Sequence, residues 1–279
     1  DPHNKTVKDD KGNEFTYGKL LLATGGSQVR LPFGEDTIIY YRDYQDYQRL
    51  RALTERGNLF LVIGGGFIGS EIAAALTMVG KKVVLVFPGD AIGANIFPPD
   101  VSHFLNDFYR QKGVEVITGE SVVNVEPSGD RHTVRTSSGR AFEVDGVVAG
   151  IGIRPNTALA QLAGLQLENG IVVDEHLRTS APDIYAAGDV ANFYHATLGK
   201  RMRVEHEDNA IKMGKQAGRN MTGLEEPYTH APMFYSDMFE LGYEAVGELN
   251  SKMETVISWQ EPFKKGVVYY LEGGRVRGV

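Results

Sequence analysis

Leu61-Val62-Ile63-Gly64-Gly65-Gly66-Phe67-Ile68-Gly69-Ser70-Glu71 is an apolar run that breaks into G-x-G-x-x-G at Gly64, Gly66 and Gly69. Alone the pattern is weak, and a glycine-rich turn with no ligand is one reading of it. Its flanks narrow the choice. Residues 58–63 read as a short apolar strand, Ile68, Ile72, Ala75, Leu76 and Val79 recur at helical spacing, Gly80 stops the helix, and residues 83–87 read as a second strand. In such a β-α-β unit Gly64 allows the tight turn, Gly66 lets the backbone approach a pyrophosphate, and Gly69 lets helix and strand pack closely. The N–H groups of the opening turn, where Gly65, Phe67 and Ile68 lie, then face the anion.

In this arrangement an acidic side chain about 20 residues beyond the glycines holds the adenosine ribose. The second strand ends Val86-Phe87-Pro88-Gly89-Asp90, so Asp90 is the available carboxylate. A solvated turn aspartate is the competing reading. No Arg or Lys lies between Phe87 and Asn95 to meet a 2′-phosphate, which favours NAD(H) over NADP(H). Glu71 is expected in the first helical turn, partly buried because residues 72–76 are all apolar, and a buried carboxylate wants a partner. The helix dipole is one reason for an acid there, and a place facing the nicotinamide is the other.

The 279 residues carry 29 Lys and Arg against 36 Asp and Glu, a net charge of −7, which makes nucleic acid a poor partner. Hydrophobic residues at 42% exclude a disordered class. With 0 cysteines there is no disulfide, thiolate metal site or thiol nucleophile in these residues, so redox chemistry must use a borrowed cofactor. The histidines show no metal-ligand spacing, and no metal is expected. Lys200, Arg201 and Arg203 read as a solvated face or as a dock for an acidic ferredoxin. No signal peptide, transit segment or membrane-length apolar run is present, so the chain reads as soluble, cut at both ends, and cytoplasmic, or mitochondrial in a eukaryote.

Along the chain, residues 5–17 read as a hairpin, 20–23 as a buried strand, 43–53 and 100–111 as helices, and 114–117, 121–126, 132–136, 141–149 and 184–187 as strands. Residues 204–221 read as a helix, with Ala210, Gly214, Ala217 and Gly218 suggesting close approach to a sheet, and 240–271 read mostly as strands. The class is α/β.

Thr179-Ser180-Ala181-Pro182-Asp183-Ile184-Tyr185-Ala186-Ala187-Gly188-Asp189 is a strand ending in Gly-Asp, and Ala23-Thr24-Gly25-Gly26 lies upstream of the glycine turn. The three signatures, in this order, resemble the FAD/NAD(P)-dependent pyridine nucleotide-disulfide oxidoreductase superfamily, in which a Rossmann-like NAD domain is inserted into the FAD domain. Further stretches resemble the apoptosis-inducing factor and ferredoxin reductase branch. They are Arg203-Val204-Glu205-His206-Glu207-Asp208-Asn209-Ala210, Asn220-Met221-Thr222-Gly223, Met233-Phe234-Tyr235-Ser236-Asp237 and Gly242-Tyr243-Glu244-Ala245-Val246-Gly247.

The resemblance implies a layout of 1–32 (FAD domain), 33–152 (NAD(H) domain), 153–229 (FAD domain) and 230–279 (start of an α+β C-terminal interface domain). By the same resemblance Thr24, Gly25 and Asp189 serve FAD, with Asp189 accepting from its ribityl chain. Arg30 takes a flavin contact if the family's position, Val29 here, shifts by one residue. The family's acidic ribose ligand matches Gly89 rather than Asp90. Phe67 stacks near the nicotinamide, Gly152 lines the NAD path, Glu205 and His206 sit beside the isoalloxazine with Glu207 next to them, and Glu244 binds NAD. Tyr235 covers the flavin where apoptosis-inducing factor has Trp. Without the family, His206 reads as a capping or surface histidine. Glu71 and His206 are the catalytic candidates.

The FAD domain's own glycine-rich unit does not precede Ala23, so these residues alone do not build a whole flavin site. The implied activity is hydride transfer from NADH to FAD, and onward to a ferredoxin, rubredoxin, quinone or oxygen. The alternative is an NADH-sensing switch that controls homodimerisation or partner binding.

Overall fold

The computed structural model describes residues 1–279. The chain forms two compact units, one of Asp1–Ser27 and Ile153–Phe234, the other of Gln28–Gly152 and Tyr235–Val279.

The second unit is built on a five-stranded parallel sheet in the order Ile38–Ile39, Gly146–Ala149, Leu59–Ile63, Lys82–Phe87, Val114–Thr118. Its strands are continuous apolar runs because both faces are covered. Alternation sends Phe60, Val62 and Leu85 to one face, where they pack with Leu50, Ile72, Leu105 and Phe108 of the helices Tyr44–Arg56, Phe67–Met78 and Pro99–Gln111. Leu61, Ile63, Val84 and Val147 point the other way, against Val125, Val134 and Val144 of an antiparallel sheet formed by Val122–Ser128, Arg131–Thr136 and Ala141–Val144. The Tyr44–Arg56 helix starts at a capping box in which Asp43 and Asp46 each accept from the other's backbone N–H.

The single strand expected over 141–149 is two strands in two different sheets. The break falls at Asp145, whose carboxylate accepts from the backbone N–H groups of Asn58 and Leu59 at 2.7 and 2.8 Å and pairs with Arg131. A second correction concerns the Phe67–Met78 helix, which buries Gly69, Ser70, Ile72, Ala73, Ala74 and Leu76 and leaves Ile68, Ala75 and Val79 exposed. Where nearly every residue is apolar, spacing does not select the buried face, and small side chains go toward the sheet instead. The residues from Tyr235 onward complete the unit: Met238 joins the helix-side core, and Tyr243 meets the Phe97 ring edge-on at 5.0 Å.

In the first unit Leu20–Leu22 pairs in parallel with Ile184–Ala186, and Ile171–Val172, Ala191–His195 and Lys200–Met202 form a three-stranded sheet. The core gathers Leu22, Ile184, Val190, Phe193, Met213, Ala217 and Tyr228. Of the strand expected to be buried, only Leu22 is. The expected 204–221 helix begins at Glu207, because His206 at φ −108 and ψ 143 is its extended N-cap. It packs through Asn209, Met213, Ala217 and Asn220, while a Cβ at Gly214 or Gly218 meets no neighbour within 4 Å. Those glycines are not points of close approach within this chain.

The glycine turn sits at the carboxyl end of the central strand, where three backbones converge. A Cβ on Gly69 would lie 1.8 Å from the Gly64 carbonyl oxygen, one on Gly64 2.3 Å from that of Gly150, and one on Gly150 2.8 Å from the Gly69 nitrogen. Gly64 also takes φ +115, open to glycine but not to L side chains. At Gly66 a Cβ meets nothing. Gly69→Ala is therefore expected to cost about 3 kcal/mol in urea unfolding and Gly66→Ala under about 1; equal losses would contradict this packing.

Candidate functional site

Gly66 is the N-cap of the Phe67–Met78 helix and, having no side chain, makes no side-chain cap bond to its first turn. The turn beneath is rigid. Gly64 donates to the Val86 carbonyl at 2.9 Å, Gly93 donates to that of Gly65 at 2.9 Å, and the Phe87 ring lies where a Cβ on Gly65 would be, 2.8 Å away. Gly64, Gly65 and Gly69 are glycine because protein atoms leave no room. Gly66 has no such reason, and this open, uncapped helix start fits a pyrophosphate group.

Asp90 follows the Lys82–Phe87 strand. Its backbone carbonyl accepts from the buried Asn106, whose own carbonyl accepts from the Ile92 N–H, so the loop is held while the Asp90 carboxylate stays exposed, 3.6 Å from His103 Nε2. Arg30 lies in the same unit with its guanidinium 5.2 Å from the Tyr40 ring centroid, a cation–π contact. Gly152 takes φ +94 in open surroundings.

Glu71 is the fifth residue of its helix, not part of the first turn, which holds no acid. The helix dipole acts chiefly on the first turn, so that explanation weakens. A direct partner replaces it: Ser236 Oγ, buried, donates to Glu71 Oε1 at 2.5 Å. Tyr109 and Tyr243 are held well above the usual phenol range by burial and, to a lesser degree, by the charge of Glu71. Tyr109 donates to the Ser70 carbonyl at 3.0 Å. On the hairpin of Ser236 and Tyr243, Tyr235, 66% exposed, and Glu244 point outward.

In the first unit, the Thr24 hydroxyl donates to the Asn156 carbonyl at 2.7 Å, the Asn156 amide donates back to the Thr24 carbonyl at 2.9 Å, and the Asn156 N–H donates to the Gly25 carbonyl at 2.9 Å. Thr24 is thus a clasp for the Gly25 turn at φ +60. Asp189 lies in a 3-10 turn, Gly188–Val190, and its carbonyl accepts from Arg203 at 3.1 Å. Arg203 pairs at 2.5 Å with Glu205, and Glu207 is exposed in the first turn of the next helix. The His206 ring stacks on Phe234, centroids 4.2 Å apart and planes 13° apart. Burial lowers its pKa and the nearby Asp189 charge opposes that, leaving the imidazole neutral at pH 7.

The structure therefore gathers the glycine turn, Glu71 and residues 235–246 in one unit, and Asp189, Arg203, Glu205, His206 and Phe234 in the other. Ser236, Phe234 and Asn156 are the residues that motif reading passes over. Ser236 is signalled only by alternation, since Phe234, Ser236 and Met238 share the inward side of their strand.

Residues 1–214 match the model of the pyridine nucleotide-disulphide oxidoreductase family, and residues 217–262 that of the C-terminal part of mitochondrion-associated apoptosis-inducing factor. The chain is 35% identical over 300 residues to mitochondrial apoptosis-inducing factor 1 of Dictyostelium discoideum, covering 99% of this chain and 56% of that protein. It is 33% identical over 277 residues to putidaredoxin reductase of Pseudomonas putida, covering 96% and 66%. Among solved structures, the covalent putidaredoxin reductase–putidaredoxin complex superposes with a TM-score of 0.93 at 32% identity, over 100% of this chain and 69% of that one. The chain thus spans a little over half to about two thirds of the length of these relatives. With 214 of its residues matched by one family model and a Rossmann-like α/β fold that family shares, the chain belongs to the pyridine nucleotide-disulphide oxidoreductases, in a branch with apoptosis-inducing factor and the ferredoxin reductases, whose cofactors are FAD and NAD.

Proposed function

We propose that this chain is the nucleotide-handling part of an NADH-dependent flavoprotein oxidoreductase that passes electrons to a small redox protein. The observation that carries the proposal is the helix start at Gly66, uncapped and open at a position where nothing in the protein requires glycine. Family membership supplies the second cofactor, and the resemblance to a reductase solved in complex with putidaredoxin supports the class of acceptor.

The chemistry that bound FAD supplies is acceptance of a hydride from NADH and release of electrons; the protein contributes orientation and electrostatics. The N–H groups around Gly65, Phe67, Ile68 and Gly69 hold the pyrophosphate, with the helix dipole favouring its charge. Asp90 presents an exposed carboxylate to the adenosine ribose, with His103 Nε2 3.6 Å away, and no Arg or Lys lies between Phe87 and Asn95 for a 2′-phosphate. Phe67, Gly152 and Glu244 line the nicotinamide side, where Glu71 orients the carboxamide end. Asp189 takes the ribityl hydroxyls, and Thr24 contributes by fixing Gly25. Neutral His206 gives a hydrogen-bonding edge beside the isoalloxazine without adding charge, next to Glu205 and Glu207. By the resemblance, Tyr235 would cover the flavin and Arg30 would give it a contact.

Anaerobic NADH added to the full-length flavin-loaded protein should bleach the flavin absorbance, with Gly66→Ala weakening NADH binding at least about tenfold; an unbleached flavin sinks the proposal. NADH should be preferred over NADPH and Asp90→Ser should narrow the preference, which competitive titration measures. Because burial depresses His206, the unfolded state binds its proton first, so its contribution to stability is present above about pH 6.5 and is lost as pH falls. His132, also lowered chiefly by burial, acts in the same direction. Melting curves at pH 7.5 and 5.5 should thus show a smaller acid loss for His206→Gln than for wild type.

A further inference from the structure

Ser236 stands in the Tyr235-Ser236-Asp237 stretch as the one inward-facing polar residue, only 3% exposed, between outward neighbours. A serine there wastes hydrogen-bonding capacity unless a partner is supplied. One is. The Ser236 hydroxyl donates to Glu71 Oε1 at 2.5 Å, at the short end of the range for an O–H···O bond. The Tyr243 phenol, pushed up chiefly by burial and further by the charge of Glu71, stays protonated beside this pair. The wall around it is apolar and close. Phe97 meets Tyr243 edge-on, and Tyr109, bonded to the Ser70 carbonyl, also faces the Glu71 charge.

The consequence falls on the carboxylate. Oε1 is committed to Ser236, which leaves the lone pairs of Oε2 available to a further donor. Glu71 has several rotatable bonds, and at a half-buried site one fixed oxygen removes most of that freedom in advance of binding. We infer that Ser236 is a positioning residue: by donating to Oε1 it fixes the orientation of Glu71 so that Oε2 faces the nicotinamide end of bound NADH. This rests on the reading of Glu71 as a nicotinamide-side residue. It goes beyond that reading by giving a role to Ser236, a residue to which the motifs assign none.

The test uses the full-length flavoprotein as wild type, Ser236→Ala, Ser236→Thr, Glu71→Gln and the Ser236→Ala/Glu71→Gln double variant. The first readout involves no turnover: the carboxyl carbon resonance of Glu71, in protein labelled at glutamate Cδ, is recorded at pH 7 without NADH. It should move in Ser236→Ala and return in Ser236→Thr; an unmoved resonance overturns the proposal whatever the kinetics. The second is the rate of flavin bleaching at saturating NADH. Ser236→Ala should slow it about tenfold, Ser236→Thr should restore it, and the double variant should be no slower than Glu71→Gln alone, because the serine acts only through the glutamate. Additive losses, or a wild-type rate in Ser236→Ala beside a slow Glu71→Gln, refute the positioning role and leave the NADH site standing. A wild-type rate in Glu71→Gln refutes the placement of Glu71 itself, and the positioning role with it.

Discussion

Where Gly64, Gly69 and Gly150 meet there is no space for a single β-carbon, and the dinucleotide turn is a consequence of that contact. A strand end, a helix start and a neighbouring strand end are pressed together at backbone distance, which aims the first turn of the Phe67–Met78 helix outward from the carboxyl edge of the sheet. The apolar sheet beneath, covered on both faces, provides the stiffness to hold that aim. It also sets the depth of the helix, so that Ser70 and Ala74 face inward and Glu71 arrives at the boundary between core and surface. The three glycines are thus structural first, and the ligand-facing freedom is concentrated at Gly66.

That distinction bears on what could be read from the sequence. The β-α-β order, the parallel sheet and the place of the glycine turn were legible because glycine, strand periodicity and helix stop are local signals. Failures arose where a decision depended on tertiary partners. Residues 141–149 look like one strand until Asp145 is seen to serve the backbone of Asn58 and Leu59, 87 and 86 positions away. The helix expected from residue 204 begins later because His206 stacks on Phe234 in an extended conformation, a contact invisible to helical spacing. The Ile68–Val79 stripe was misassigned because a helix that is apolar all round carries no directional information. Of the candidate site, the residues borne on motifs could be named, but their partners Ser236, Phe234 and Asn156 could not.

The electrostatics of the two units share one feature. Each buries a ring whose protonation is then set chiefly by that burial. In one unit burial, with a smaller push from the charge of Glu71, raises Tyr109 and Tyr243, so these phenols stay protonated. In the other, burial outweighs the pull of Asp189 and His206 stays neutral. On the proposed reading, a carboxyl side chain that orients a neutral carboxamide and a neutral imidazole that hydrogen-bonds without adding charge suit a hydride-transfer flavoprotein, because the cofactors carry the electrons.

The central claim is that the backbone at Gly66 receives the phosphates of a dinucleotide. It is tested most directly by the amide resonances of Gly66, Phe67, Ile68 and Gly69 in the full-length protein titrated with NADH and, separately, with adenosine and nicotinamide riboside. The prediction is large saturable shifts at these four amides with NADH and small ones with the phosphate-free pair. Unmoved amides at this turn, with NADH bound elsewhere, would contradict it.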